Sequence, residues 1–96
     1  MELERLPGGD LVEQGLQDLA SRLESVPSLL VCVGAPRLRD LGIPIPDDVF
    51  PSPEHRLYAL LCEEDSDSAH SRYNALVRKL VSFERARACA RPQVSS

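Results

Sequence analysis

Hydrophobic positions recur early in the chain at Val12, Leu16, Leu19, Leu23 and Val26, spaced by four, three, four and three residues. Gln14, Gln17, Asp18, Arg22 and Glu24 fall between them, so a helix over this stretch carries one apolar stripe. Asp10, followed three residues later by Glu13, has the form of an N-cap with its capping box. Pro27 lacks an N–H and disfavours helical backbone at Val26, so the pattern predicts a first helix over about 10–25. Gly15 weakens it slightly.

The run Leu29-Leu30-Val31-Cys32-Val33 is continuously apolar and is closed by Gly34-Ala35-Pro36. At that length periodicity does not separate a buried strand from a short buried helix. A strand needs a partner, and no other segment shows clear period-two alternation or a hairpin turn, which favours the helix. From 36 to 52, Pro36, Pro44, Pro46, Pro51 and Gly42 describe an extended Pro-rich connector with room for a brief turn at 37–41.

Ser52-Pro53-Glu54 combines a cap residue, proline in the first turn and an acid where the helix dipole favours one. It predicts a helix over about 53–62 with Leu57, Leu60 and Leu61 on its buried side. The acidic stretch from Glu63 to Asp67 reads as a polar hinge, with Asp67 or Ser68 capping a final helix over about 68–88. In that helix Ala69, Tyr73, Leu76, Val77, Leu80 and Phe83 lie within about half the circumference, while Asn74, Arg78 and Arg85 point away. The expected fold is all-α, a small bundle of three to four helices forming one domain over 1–96. The polar tail 92–96 is expected to be disordered, and its abrupt end also fits a truncated or spliced product.

Charge changes this picture in one place. Residues 1–50 hold four basic and nine acidic side chains, and the whole chain carries a formal charge of −4. Yet between Arg72 and Arg91 six basic residues face the single acid Glu84, so the last helix is locally basic. The longest apolar run has five residues, from Leu29 to Val33, against the roughly 20 needed to span a bilayer, and no export signal precedes it. No membrane association is therefore expected. Cys32, Cys62 and Cys89 are irregularly spaced, which fits a reducing interior, nuclear or cytoplasmic.

The candidate chemistry is thin. Ser66, Asp67, Ser68 and His70 hold the ingredients of nucleophilic catalysis, but residues so close at a helix start do not form an ordered relay, and Ser and Asp serve there as caps. His55, Cys62 and His70 contain no ligand pair at the short spacing of a zinc site. The glycines form no phosphate-cradling motif and the acids no calcium loop. The sequence implies no catalytic residue, no metal and no cofactor. The net acidity and the scarcity of aromatics argue against direct nucleic-acid binding through the basic helix, leaving an acidic protein surface as its expected partner.

Residues 54–83 carry a further pattern. Glu54, Leu57 and Tyr58 on one helix, then Arg72-Tyr73-Asn74-Ala75-Leu76-Val77-Arg78-Lys79-Leu80 on the next, resemble the latter part of the central domain of TFIIS-type transcription elongation factors, a three-helix module that docks on RNA polymerase. Lys79 stands where the family has Asn, and Val81-Ser82-Phe83 where it has a charged, Pro-containing stretch. The resemblance implies that Arg72, Arg78, Lys79 and Arg85 contact RNA polymerase or another part of the transcription machinery, with Tyr73, Leu76 and Leu80 in the core. It implies no transcript cleavage, because that chemistry belongs to a separate zinc ribbon that this chain lacks. The expected function is a non-enzymatic helical adaptor. The alternative is a structural subunit of an obligate complex, packing Val12, Leu16, Leu19 and Leu23 against a partner helix.

Overall fold

A serine placed before a proline starts the most buried helix of the molecule. The computed structural model describes residues 5–46 and 49–90, and in it the chain forms α1 (Gly9–Ala20), α2 (Val26–Val33), α3 (Ala35–Asp40), α4 (Pro53–Asp65) and α5 (Ala69–Ala90). The described residues contain no strand. The helices number five rather than three to four, because the connector contains a helix of its own, and the break between α1 and α2 falls earlier than the predicted end at about 25.

The division occurs at the turn after Ala20. The Ser21 N–H closes on the carbonyls of Gln17 and Asp18, and Arg22 adopts the left-handed region at φ 59, which no helix continues through. Ser25 then caps α2: its hydroxyl accepts the Ser28 N–H, while the Ser28 hydroxyl accepts the Ser25 N–H. The Ser25 hydroxyl donates to Asp18 near the end of α1 at 2.7 Å. Pro27 lies in the first turn of α2, where its missing N–H costs nothing, so it opens a helix rather than ending one. The predicted stripe is divided with it. Val12 and Leu19 are buried, whereas Leu23, past the end of α1, is 54% exposed.

α2 is apolar on every side, and Leu29, Leu30, Val31 and Cys32 are all buried, as befits a helix surrounded by others. It packs against α1, α3, α4 and α5. The segment left open between strand and helix is thus the central helix. Burial raises the pKa of the Cys32 thiol, against the opposing influence of the Phe50 backbone and Arg39.

After α3 the chain turns at Leu41 and Gly42 and continues without regular secondary structure over 43–46, and here it does alternate. Leu41, Ile43 and Ile45 are buried while Gly42, Pro44 and Pro46 are exposed, so the connector pins itself to the core with every second side chain. Pro44 and Pro46 have no N–H to offer a neighbouring strand, and the Arg39 guanidinium holds the turn by donating to the carbonyls of Ile45 and Pro46.

Two predicted caps take another form. α1 begins after Gly8 at φ 74 with no side-chain cap, so Asp10 sits inside the helix. α4 begins after Ser52 at φ 48, again without a side-chain cap. α4 also runs past the expected hinge to Asp65, and α5 starts at Ala69. Leu57, Leu61, Leu80 and Phe83 close the core between them. The tail 92–96 lies outside the described residues, as does Arg91.

Candidate functional site

α5 is 22 residues long, and about 100° per residue sets what each position faces. Leu80 and Phe83 are buried, Tyr73 and Leu76 are half-buried against the core, and the Arg87 guanidinium donates to the Leu41 carbonyl at 3.2 Å. This is the inner face. Arg78, Lys79, Ser82 and Arg85 are exposed on the opposite side. Arg78 and Arg85 are one heptad apart and so project in nearly the same direction, with Ser82 between them.

The four predicted contact residues do not form one set. Arg72 is half-buried and pairs with Glu64 on α4 at 2.8 Å, bracing the two helices in a surface ion pair worth about 1 kcal/mol or less. Arg78, Lys79 and Arg85 have no ion-pair partner among the described residues. Three cations are therefore free to meet a ligand, and the fourth is engaged within the fold.

Two of the three border a groove. Where α1 begins, Gly8 approaches α5 so closely that a Cβ on it would lie 2.8 Å from the Lys79 carbonyl oxygen. The chain bends into α1 at that point, leaving an open cleft of about 690 Å³. Leu11 and Asp10 line it from α1, and Ala75, Leu76, Arg78, Lys79 and Ser82 from α5. Leu11 and Leu76 are half-buried members of the core's edge, so the floor is apolar and the α5 wall cationic. The cations are legible in the sequence and the cleft is not, because its walls are some seventy residues apart in the chain; the pair Gly8-Gly9 is its one local signal, and by itself that pair shows only the lack of a phosphate motif.

The remaining candidate chemistry is occupied elsewhere. The Ser68 hydroxyl donates to the Asp65 carboxylate at 3.0 Å and the Asp67 N–H to its other oxygen at 3.1 Å. The His70 ring lies 3.2 Å from the Asn74 amide nitrogen and edge-on to Tyr58. Among the described residues His70 is engaged by Asn74 rather than by a serine. Among the described residues no group of three or more His, Cys, Asp or Glu side chains is placed to hold a metal, and no helix is long and apolar enough to cross a membrane.

Two further ionisable groups lie on α5. Burial, then the nearby Glu54, raises the pKa of the Tyr73 phenol, which therefore stays neutral at physiological pH. Burial likewise raises the pKa of the Glu84 carboxyl, with Arg37 pulling the other way. Glu84 is the one acid in the basic stretch, and it leans toward the α2–α3 corner at Gly34, away from the exposed cations. No protein family, curated protein or solved structure matches the chain.

Proposed function

We propose that this chain is a non-enzymatic interaction module that works inside the cell and binds an acidic protein surface through the outer face of α5. One observation carries the reading: Arg78 and Lys79 are exposed and unpaired among the described residues, and both stand on the wall of an open cleft. Arg85 extends the same face by about two turns, roughly 10 Å at 1.5 Å per residue. Exposed cations so placed contribute little to folding, while against an acidic surface they speed encounter and select the partner. The resemblance of residues 54–83 supports the transcription machinery as the setting, with Arg78, Lys79 and Arg85 as the contacts and Arg72 in a supporting role. The α1 stripe offers less to a partner, since Val12 and Leu19 are already covered within the chain.

The test is affinity purification from cells with tagged wild type beside Arg78→Glu/Arg85→Glu, read by quantitative mass spectrometry. Both side chains are exposed, so charge reversal leaves the fold intact. The expected result is a set of transcription proteins recovered with wild type and lost with the variant. An unchanged set of partners removes the basic face from the account.

A further inference from the structure

We infer that the cleft between the start of α1 and α5 seats an apolar side chain of an acidic amphipathic helix, whose carboxylates pair with Arg78 and Lys79. This assignment rests on the reading of α5 as the partner-binding face and adds the chemistry of the occupant.

The cleft has three qualities that select this ligand. Its volume, about 690 Å³, lies in the range of about 300–1,000 Å³ typical of ligand clefts. Its floor is formed by Leu11, Ala75 and Leu76, so an entering side chain gains by being apolar. Its long wall is α5, which carries cations at 78 and 79 on the cleft and at 85 beyond it. A partner helix laid along that wall meets them with acids about two turns apart, while its apolar side faces the floor, as helix-in-groove recognition requires.

Asp10 stands on the opposite wall and sharpens the choice. It repels a polyphosphate but accepts a single basic residue on the far side of a mostly acidic helix. No aromatic ring of the described residues lines the cleft, so nucleic-acid bases have no stacking platform there. The complementary ligand is thus a peptide with leucine-type anchors and carboxylates on one side.

The assay is fluorescence anisotropy with the purified full chain and three labelled probes: a synthetic helical peptide of Leu and Glu in amphipathic order, a peptide of the same charge without leucine, and a single-stranded RNA. The chain variants are wild type, Arg78→Glu and Ser82→Trp, the last filling the cleft while keeping every cation. The leucine-containing peptide is expected to bind wild type best, and either substitution to weaken it by about tenfold or more. If Arg78→Glu weakens binding and Ser82→Trp does not, the basic face stands and the cleft assignment falls. If neither matters, both fall. RNA binding as tight as the peptide, or equal binding of the leucine-free peptide, also overturns the assignment. Should Ser82→Trp fail to fold, amide NMR shifts in wild type decide: movement at Gly8, Leu11 and Ser82 on adding the peptide is expected, and silence there overturns the proposal.

Discussion

α1 meets its neighbours through glycine at two points, with opposite outcomes. In its middle, Gly15 lies so close to α2 that a Cβ would sit 2.4 Å from the Pro27 carbonyl oxygen and 2.5 Å from the Val31 side chain. At its start, Gly8 makes a comparable approach to the backbone of α5 at Lys79, yet beside it the two helices part and leave the cleft. The first contact is sealed by packing and by the Ser25–Asp18 hydrogen bond; the second is a single point of touch with open space next to it. A close helix pair buries itself when both partners present apolar faces, whereas here α5 presents cations, which stay in water and keep the interface from closing.

The largest expected effect tests the sealed contact. Gly15→Val forces α1 away from α2 and is predicted to destabilise the chain by more than about 3 kcal/mol or to prevent folding, as urea titration followed by circular dichroism will report. Gly8→Ala is strained at φ 74 and sets a methyl 2.8 Å from the Lys79 carbonyl oxygen, but it adds less bulk at a helix start that borders the open cleft, so it is expected to cost less than Gly15→Val, about 1–3 kcal/mol. Equal losses at both glycines break the contrast.

Leucines sharpen it next. Leu19→Ala removes a side chain that is 2% exposed and Leu23→Ala one that is 54% exposed, although the two share one heptad-like stripe in the sequence. The first is expected to cost about 2–5 kcal/mol and the second no more than about 0.5 kcal/mol. A large loss at Leu23 in the isolated chain contradicts the observed end of α1.

That pair also shows where the sequence was legible. α5 was read correctly from its pattern because it is long and its inner and outer residues separate cleanly at helical spacing. α1 was extended too far because Leu23 and Val26 keep the same spacing beyond the real end, and the turn uses Arg22 in the left-handed region with no glycine or asparagine to announce it. By sequence Pro27 and Pro36 read as breakers, yet each lies in the first turn of a helix; in the first case Ser25 two residues earlier, with Ser28, is the available signal. The alternation of Leu41, Ile43 and Ile45 is present as well, hidden by Gly42 and Pro44 between them. At the candidate site, exposure of Arg78 and Arg85 follows from periodicity, whereas Lys79 enters only through the resemblance of residues 54–83. The pairing of Arg72 with Glu64 and the cleft beside Gly8 depend on how separate helices meet, which no local pattern encodes.

The smallest expected effect concerns Glu84. Its pKa is held above the ordinary value of 4.5 by burial, with Arg37 opposing, so the native state binds its proton more tightly than the unfolded chain does. Its favourable contribution is present below the unfolded pKa and is lost as pH rises through the carboxylate range. Glu84→Gln should therefore flatten the fall in stability above that range and raise the melting temperature slightly at neutral pH, as thermal unfolding across pH will show. A steeper fall in the variant means that attraction to Arg37 outweighs burial.

The central claim, that a partner docks on the outer face of α5 beside the start of α1, is tested most directly by photo-crosslinking in cells. A benzophenone amino acid is placed at Ser82 in the cleft or at Ala59, exposed on α4. The account predicts a discrete adduct from Ser82, absent from Ala59 and abolished by Arg78→Glu/Lys79→Glu. Equal adducts from both positions, or an adduct from Ser82 that is indifferent to the charge reversal, contradict it.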